Sequence, residues 1–500
     1  MWGRAVAHDR NSFDSLERRR VATGCGCPRR RIVRGALRGG GGELLRIIIV
    51  GAGTVGYSLA EHLSRQGHLV SVVDWDARLC EELSGLLDVL VVNARGTNPQ
   101  ALEQAGIRSA DMVVAVTPDD DTNLVVCALS EQYGVSKRIA RIAASEYTDP
   151  GSPVSLSRIG VTHVIEPEKE IVRNVLKYVE LPGVTEAANF HFDTVYLRGY
   201  RITDDMAIAS RKLSEINELH DSSTILIVMI VRNGIAIIPS GSEMVLPGDE
   251  IVAIMTRESL PAFRKLVNQP SDKLRKIVVS GDSLTSVKLS EQLRTYADRV
   301  ILVDPDEAHA QLAAAELSGV EVLHGDCTRV DMLQEVHVEN ASFFIAAGKD
   351  AEDNIMSCLL AKAEGAREVI AVASARRHTE LFLSLGLDRI ITPHDITLQT
   401  IIANVIKVPI GALLTLKDAE IEVTRYLVER KSRAIGRPIR ELMPAQTESF
   451  IIGSVFRGDE IIIPTGDTVL QDGDEVLVLS HAQANGGIKR VFSGGMRFRF

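Results

Sequence analysis

Short apolar runs alternate with amphipathic stretches from residue 46 to about 166, and the same alternation returns from about 275 to 395. Such alternation is typical of strand and helix units in a parallel sheet. The runs in the first segment are Ile47–Val50, Leu69–Val73, Val89–Val92, Met112–Val116, Arg138–Ile142 and His163–Ile165. Those in the second are Lys276–Val279, Val300–Val303, Val320–Leu323, Phe343–Ala347, Glu368–Val372 and Asp388–Ile391. The pattern predicts two Rossmann-like α/β domains with doubly wound parallel sheets.

The two segments are copies of one another, about 230 residues apart. In the first, an apolar run leads into Gly51, and the next run ends in Asp74. In the second, the matching positions are Gly281 and Asp304. An unbroken register over that distance indicates an internal duplication.

A smaller unit follows each Rossmann segment and is also duplicated. Residues 225–250 have the pattern of strand, hairpin turn, strand, Gly-Asp turn and strand, and residues 451–475 repeat that order. This predicts a small β-rich α+β module after each Rossmann domain. We interpret the acids of the Gly-Asp turns as turn formers, since aspartate is common in turns.

The predicted organisation has four domains and two helical linkers. In the first linker, Pro167 to Val179, apolar residues recur at helical spacing and form a stripe that would pack on its own domain or on a partner subunit. The predicted units are a disordered basic extension at 1–43, Rossmann domains at 46–166 and 275–395, linkers at 167–188 and 396–415, and modules at 189–270 and 416–500.

Composition narrows the classes of function. A formal net charge of −10 over 500 residues disfavours nucleic acid as a partner. The apolar runs are shorter than the ~18–20 residues that span a bilayer. Six scattered cysteines form neither a disulfide framework nor a zinc pattern, which favours reduced thiols in the cytoplasm. We therefore expect a soluble cytoplasmic protein without a metal site.

The first glycine turn is the strongest candidate for ligand binding. In a Gly-x-Gly-x-x-Gly turn, Gly51 permits the tight turn, Gly53 lets the backbone approach a phosphate, and Gly56 lets the helix pack on the strand. Asp74 follows at the position where a carboxylate accepts hydrogen bonds from ribose hydroxyls, which favours NAD(H) or an adenosine nucleotide over NADP. In the second copy Ser286 replaces the third glycine. A weakened or lost site is therefore favoured there.

A duplicated Rossmann domain alternating with this module resembles the TrkA family, the peripheral cytoplasmic subunits of bacterial Trk potassium uptake systems. The resemblance covers about residues 46 to 500. It rests on the glycine turn Gly51–Gly56, on Ala115–Asn123 and Arg138–Arg141, and on Ala346–Asn354, which echoes the second of these motifs. It implies that the Rossmann domains are potassium-conductance-regulating (RCK) N-terminal domains and that the modules are RCK C-terminal domains.

The resemblance also implies the binding residues. These are Gly51, Ala52, Gly53, Thr54, Val55, Gly56, Asp74, Thr117, Pro118 and Arg141, with a weaker set of Gly281, Ser283 and Asp304 in the second copy. Residues 51–55 would wrap the pyrophosphate, Asp74 would take the ribose, and the two residues after the fourth strand would line the crevice. Arg141 would face phosphate or ribose, although Val372 stands at its position in the second copy. Without the resemblance, Arg141 is a surface or ion-paired arginine, and Asp121 and Asn123 are helix caps.

The implied function is regulation of transport. The resemblance implies a homo-oligomeric ring on the inner face of the cell membrane that binds a membrane-embedded Trk-type potassium transporter and changes its gating when nucleotide binds. NAD or NADH is the expected ligand, with ATP or ADP as alternatives. An NAD-dependent oxidoreductase and a regulator of potassium efflux or another cation system remain open as alternatives. An oxidoreductase needs an acid or base beside the nicotinamide, and the histidines at 62, 68 and 163 are interpreted as structural.

Overall fold

The structure, a computed structural model, describes most of the chain after residue 43. The described ranges are 44–149, 151–190, 193–219, 224–269, 274–373, 379–404, 411–416, 421–442, 450–481, 488 and 491–492. The basic extension predicted at 1–43 lies outside the described residues. All of the described residues belong to one unit, residues 42–500.

Six parallel strands form the first sheet. They are β1 (Arg46–Val50), β2 (Leu69–Asp74), β3 (Leu90–Asn93), β4 (Met112–Ala115), β5 (Lys137–Arg141) and β6 (His163–Ile165). Their order across the sheet is β3-β2-β1-β4-β5-β6. Strand order therefore reverses between β1 and β4, and ligands of open α/β sheets bind in the crevice at the carboxyl ends of the strands at such a point.

Helices cover both faces of this sheet. They are α1 (Thr54–Arg65), α2 (Ala77–Leu86), α3 (Pro99–Gln104), α4 (Asp120–Gln132), α5 (Ser145–Thr148) and α6 (Pro167–Val179). Ile47 and Ile49 of β1 pack with residues of α1, whereas Ile48 and Val50 pack on the opposite face with residues of α3 and α4. Because both faces are covered, β1 is apolar at successive positions.

The first module contains one five-stranded antiparallel sheet and a short two-stranded ribbon. Its elements are β7 (Val184–Phe190), β8 (Val195–Arg201), β9 (Arg211–Lys212), α7 (Leu213–Leu219), β10 (Ile225–Arg232), β11 (Ile235–Ile237), β12 (Met244–Val245), β13 (Glu250–Thr256) and α8 (Leu260–Leu266). The larger sheet has the order β11-β10-β13-β8-β7, and β9 pairs with β12.

The second Rossmann domain repeats the first. Its strands are β14 (Leu274–Ser280), β15 (Ala297–Asp304), β16 (Glu321–His324), β17 (Phe343–Ala346), β18 (Glu368–Val372) and β19 (Arg389–Ile391). Its helices are α9 (Leu284–Leu293), α10 (Glu307–Glu316), α11 (Val330–Glu335), α12 (Ala351–Ala363), α13 (Thr379–Ser384) and α14 (Pro393–Asn404). The strands are parallel in the order β16-β15-β14-β17-β18-β19, which is the order of the first sheet.

The second module is again antiparallel. Its strands are β20 (Gly411–Leu416), β21 (Ile421–Leu427), β22 (Phe450–Arg457), β23 (Glu460–Ile462) and β24 (Glu475–His481), in the order β20-β21-β24-β22-β23. The predicted fold class, two doubly wound parallel sheets each followed by a small β-rich module, is confirmed.

The two linker helices exchange partners between the halves of the chain. Residues Ile171, Val175 and Val179 of α6 lie in the buried cluster of the second Rossmann domain, and α6 contacts α9 there. In return, Ile401 of α14 lies in the buried cluster of the first Rossmann domain, and α14 contacts α1. The predicted stripe on α6 therefore packs neither on its own domain nor on a partner subunit, but on the second copy within the same chain.

The sheets of the two modules also pack against each other. One buried cluster combines Leu197 and Ile254 of the first module with Val423, Phe456 and Leu479 of the second. Together with the exchanged helices, this interface makes the two halves a pseudo-symmetric pair. None of the described helices has the length and apolar character needed to cross a membrane.

Candidate nucleotide-binding site

The first glycine turn connects β1 to α1 at the switch point of the sheet. Gly51 has φ +109°, a left-handed conformation that side-chain-bearing residues rarely adopt, and its amide donates to the carbonyl of Val73 at 2.9 Å. A Cβ built on Gly51 would also lie 3.1 Å from the amide nitrogen of Thr117. The first glycine is therefore required by both the turn and its neighbours.

Gly53 has a different role from the other two glycines. It is the N-cap of α1, with φ −63°, and a Cβ built on it meets no atom within 4 Å. The folding of the protein therefore does not require a glycine at this position. No side chain caps this end of α1, so the first-turn amides are free to receive an anion.

Gly56 is required for packing. A Cβ built on Gly56 would lie 1.8 Å from the carbonyl oxygen of Gly51, far inside contact distance. Its absence lets α1 begin directly against the turn. The N-terminus of α1 is thereby held close to the carboxyl end of β1.

Asp74 joins the end of β2 to the glycine turn. Its Oδ2 accepts a hydrogen bond from the Ala52 amide at 2.6 Å, and its Oδ1 accepts one from the Asp76 amide at 2.8 Å. Each carboxylate oxygen can accept a second hydrogen bond. The contacts seen here therefore leave acceptor capacity for ribose hydroxyls.

A cavity of about 300 Å³ opens beside this turn. Among the residues lining it are Gly51, Asp74, Trp75, Arg95, Thr117 and Pro118. The structure thus brings together four residues of the predicted set, which lie at or just after the carboxyl ends of three different strands. Arg95 adds a positive charge to the lining and Asp119 a negative one. Hydrogen bonds from Thr122 hold the pKa of Asp119 below its ordinary value.

Arg141 lies next to the cavity but is not among the residues that line it. Its Nη1 donates to the carbonyl of Thr117 at 3.3 Å, and the residue is half-buried. Arg141 therefore supports the loop after β4 in this arrangement. A contact with phosphate or ribose would require its side chain to turn toward the cavity.

Asn123 is a structural residue that the sequence interpretation missed. It is fully buried, its Oδ1 accepts from the Thr117 amide at 3.0 Å, and its Nδ2 donates to the carbonyl of Arg141 at 2.8 Å. It therefore ties the ends of β4 and β5 together. The expectation that Asp121 and Asn123 cap the helix is wrong, because the N-cap is Asp119 and Asp121 accepts from the Tyr147 hydroxyl.

The second copy retains this link between the fourth and fifth strands, which we call the asparagine clamp. Its glycine turn, however, is filled by side chains of the chain itself. Asn354 bonds to Gly348 and to the carbonyl of Val372, as Asn123 does in the first copy. At the start of α9, however, Ser283 caps the helix and accepts from the Ser286 amide at 3.1 Å, while the Ser286 hydroxyl donates to the Gly281 carbonyl at 2.9 Å. The helix N-terminus that would hold a phosphate is occupied by its own side chains.

Charged groups of the second copy are paired as well. Asp282 stands where the first copy has Ala52, and it lies 3.1 Å from the ammonium of Lys349. Asp304, the counterpart of Asp74, is fully buried and pairs with His309. The Asp282 carboxylate in the turn would repel a pyrophosphate. The Asp304 carboxylate, which would meet the ribose, is already paired with a histidine. These contacts disfavour nucleotide binding at Gly281, Ser283 and Asp304.

The aspartate of each Gly-Asp turn forms an ion pair with an arginine of the same module. Arg232 holds Asp249 through two hydrogen bonds of 2.9 and 2.8 Å, and Arg457 holds Asp474 through two of 2.9 Å. Burial would raise the pKa of Asp249, but hydrogen bonds from Arg232 and Leu246 outweigh it and keep the pKa below its ordinary value. Both acids therefore stabilise the modules.

Comparison with known proteins agrees with this architecture. The TrkA-N domain matches residues 47–167 and 277–393, and the TrkA-C domain matches residues 197–268 and 423–485. These matches cover well over half of the chain. The chain belongs to the TrkA family. The resemblance inferred from the motifs is thereby confirmed.

Relatives within the TrkA family match this chain almost from end to end. A Trk system potassium uptake protein TrkA of Azorhizobium caulinodans is 29% identical over 459 residues, covering 91% of this chain and all of that protein. Its counterpart in Halomonas elongata is 28% identical over 460 residues with the same coverage. The aligned region therefore spans the full length of both relatives.

Solved structures share the fold. The GsuK channel bound to NAD superimposes with a TM-score of 0.56 at 18% identity, covering 89% of this chain and 78% of that chain. The RCK domain of GsuK superimposes with a TM-score of 0.54 at 17% identity, covering 89% of this chain and 94% of that one. At these identities the likeness concerns the fold alone.

Proposed function

We propose that this chain is the regulatory, nucleotide-binding subunit of a Trk-type potassium uptake transporter. Membership of the TrkA family supports the link to potassium uptake, since its relatives are Trk system potassium uptake proteins. The observation that carries the ligand assignment is Gly53, a glycine that the fold does not need, at an uncapped helix N-terminus. NAD or NADH is the ligand we favour, with ATP or ADP as alternatives.

The proposed ligand would lie across the carboxyl ends of β1, β2 and β4. Its pyrophosphate would lie against the amides of residues 53–56, where the helix dipole favours an anion. Its ribose would meet Asp74, whose carboxylate is not neutralised by an arginine or lysine among the described residues. A further phosphate on the ribose would be repelled by that carboxylate, which favours NAD(H) over NADP.

The first Rossmann domain is the proposed sensor, and the second is a structural partner. In the second copy, the Ser286 hydroxyl bonds to the Gly281 carbonyl, Lys349 pairs with an acid in the glycine turn, and His309 pairs with Asp304. We therefore expect one nucleotide per chain. GsuK, a channel of this fold whose structure contains NAD, is consistent with a nucleotide-dependent role.

The exchanged helix α14 gives a route by which binding would affect the second half. Near the start of α14, Ile396 packs in the core of the second Rossmann domain. Farther along the helix, Ile401 packs on α1, whose N-terminus is the proposed phosphate site. A ligand changes gating only through unequal affinity for the open and closed arrangements. Coupling of about 1–3 kcal/mol would change the ratio of the open to the closed arrangement about 5- to 150-fold.

The transporter would be a membrane-embedded Trk-type subunit, and this chain would assemble as a homo-oligomer on its cytoplasmic side. A regulator of another cation system remains the nearest alternative. The oxidoreductase alternative has less support, since the cavity residues in the described part of the chain include no histidine, lysine or tyrosine to move a proton. Turnover of NADH by the purified protein would favour that alternative.

The experiment that tests the proposal is potassium flux into proteoliposomes that contain a Trk-type transporter and this chain. NADH, NAD⁺, ATP and ADP are added in turn to the wild type and to Gly53→Ser. The matched control is Gly85→Ser on α2, where a built Cβ also meets nothing within 4 Å.

The proposal predicts that at least one nucleotide changes flux with the wild type and Gly85→Ser, and that Gly53→Ser does not respond. Flux that is independent of the chain would contradict the transporter assignment. A nucleotide response that survives Gly53→Ser would contradict the assignment of the site.

A further inference from the structure

Trp75 is a large aromatic side chain left in solvent at the edge of the cavity. It follows Asp74 directly, lines the cavity, and is 75% exposed. An indole exposed to this degree is not held by the core of its own domain. Aromatic side chains beside nucleotide sites provide a flat surface on which a base can stack.

Arg95 lies at the same edge of the cavity. Asp74 and Asn93 are paired in register at the ends of β2 and β3, so the residues that follow these strands are neighbours. The Ala94 amide donates to the Asp74 carbonyl at 2.8 Å, and the next residue, Arg95, lines the cavity with an exposed side chain. Among the described residues, its guanidinium makes no ion pair with an acid.

The second copy has neither group at the corresponding positions. Pro305 follows Asp304 where Trp75 follows Asp74, and Asp326 lies two residues after β16 where Arg95 lies two residues after β3. Asp326 is used within its own loop, accepting from the amide of Thr328 at 2.8 Å. The aromatic surface and the free cation are thus confined to the copy with the open glycine turn.

We propose that Trp75 is the residue that binds the base, stacking its indole on the adenine of the nucleotide, and that Arg95 adds positive charge at this end. The inference rests on the proposed function, because it assigns the orientation of the ligand in that site. The pyrophosphate lies at α1, the adenosine ribose at Asp74, and the adenine beyond β2 and β3. This orientation requires an adenine-bearing ligand and leaves the other half of a dinucleotide toward Thr117 and Pro118.

The test uses the full chain with Trp2→Phe, so that Trp75 is the remaining tryptophan. ADP, NAD⁺ and inorganic pyrophosphate are titrated while tryptophan emission is followed. ADP and NAD⁺ carry adenine, absorb little of the emitted light, and are expected to quench it in a saturable way. Pyrophosphate, which lacks a base, is expected to bind without quenching.

Binding variants give a second readout by calorimetry. Trp75→Ala is expected to lower the affinity for ADP and NAD⁺ about tenfold. Trp75→Phe is expected to lower it less than threefold, because phenylalanine keeps an aromatic face. Arg95→Ala and Arg95→Gln are expected to lower the affinity for both ligands by similar factors, since either change removes the charge. Pyrophosphate affinity should not change in the Trp75 variants.

The outcomes separate this inference from the proposed function. Saturable quenching by ADP, with loss of affinity confined to adenine-bearing ligands, supports stacking on Trp75. Nucleotide binding that depends on Gly53 but is unchanged in Trp75→Ala overturns the stacking and leaves the proposed function intact. Absence of any nucleotide binding to the wild type overturns both.

Discussion

The Asp74 carboxylate accepts a hydrogen bond from the Ala52 amide, with 2.6 Å between Oδ2 and the nitrogen. The proposed ribose-binding residue therefore also holds the turn that would hold the pyrophosphate. The two parts of the site are fixed relative to each other before a ligand arrives. Its counterpart in the second copy, Asp304, pairs with His309 instead.

Asp74→Asn should separate the binding role of the carboxylate from its structural role. Asparagine keeps one acceptor oxygen but loses the charge and the second acceptor. We expect nucleotide affinity to fall at least about tenfold, since hydrogen bonds to charged groups are the stronger ones. Asp74→Ala should in addition lower the melting temperature, because two backbone amides lose their partner. Calorimetry and thermal unfolding measure the two effects, and unchanged affinity in Asp74→Asn would contradict the ribose role.

Gly53→Ser and Gly56→Ala should differ in their effect on stability. Serine at position 53 has open space and can cap α1, so its free energy of unfolding should stay within about 1 kcal/mol of the wild type or rise. Alanine at position 56 would place a Cβ 1.8 Å from the Gly51 carbonyl and should cost at least about 2 kcal/mol. Chemical denaturation compares them. Equal losses at both positions would mean that Gly53 is also a packing residue.

Asp249→Asn should destabilise the first module. Asp249 is 2% exposed and accepts hydrogen bonds from Nε and Nη2 of Arg232, so removal of its charge leaves the arginine without its main partner. We expect a loss of about 2–4 kcal/mol in the free energy of unfolding, and a similar loss for Asp474→Asn. Asp459→Asn, in an exposed turn, is the control and should change stability by less than about 0.5 kcal/mol. A neutral effect of Asp249→Asn would show that the pair does not hold the turn.

Glu368 should make stability depend on pH where the two halves meet. Burial raises the pKa of its carboxyl to about 6, against an ordinary value of 4.5, despite a hydrogen bond from the Gly183 amide. Asp388 also raises the pKa, and Arg389 and Arg367 lower it. Because the folded-state pKa is raised, the stabilising contribution is fully present below about pH 4.5 and is lost as the pH rises through about 6.

Glu368→Gln removes this titration. The variant should therefore be more stable than the wild type by about 2 kcal/mol at pH 7.5, and most of the difference should disappear near pH 4.5. Denaturation series from pH 4.5 to 8 would measure both proteins. A constant difference across this range would show that Glu368 does not titrate in it.

The sequence was sufficient for the fold because the strands are buried on both faces. Runs such as Ile47–Val50 are apolar at successive positions and mark strands directly, and the repeat of the whole pattern strengthens the prediction. The glycine turn was also predictable, since Gly51 and Gly56 meet local steric demands that their spacing indicates. The positions of the site residues relative to a ligand stay predictions.

Long-range contacts were not predictable in the same way. The apolar stripe of α6 indicates that one face is buried, but it says nothing about which surface covers it. Asn123 is a polar residue within a helix, a position with no local signal. Its recurrence as Asn354 at the same place in the second copy was the signal that could have identified the clamp.

The most direct test of the account is the stoichiometry of nucleotide binding. Calorimetric titration of the wild type, Gly53→Ser and Gly85→Ser with NADH, NAD⁺, ATP and ADP measures the number of sites per chain. The account predicts one site per chain for the preferred nucleotide, retained in Gly85→Ser and lost in Gly53→Ser. Two sites per chain, or one site that survives Gly53→Ser, would contradict the assignment of the sensor to the first glycine turn.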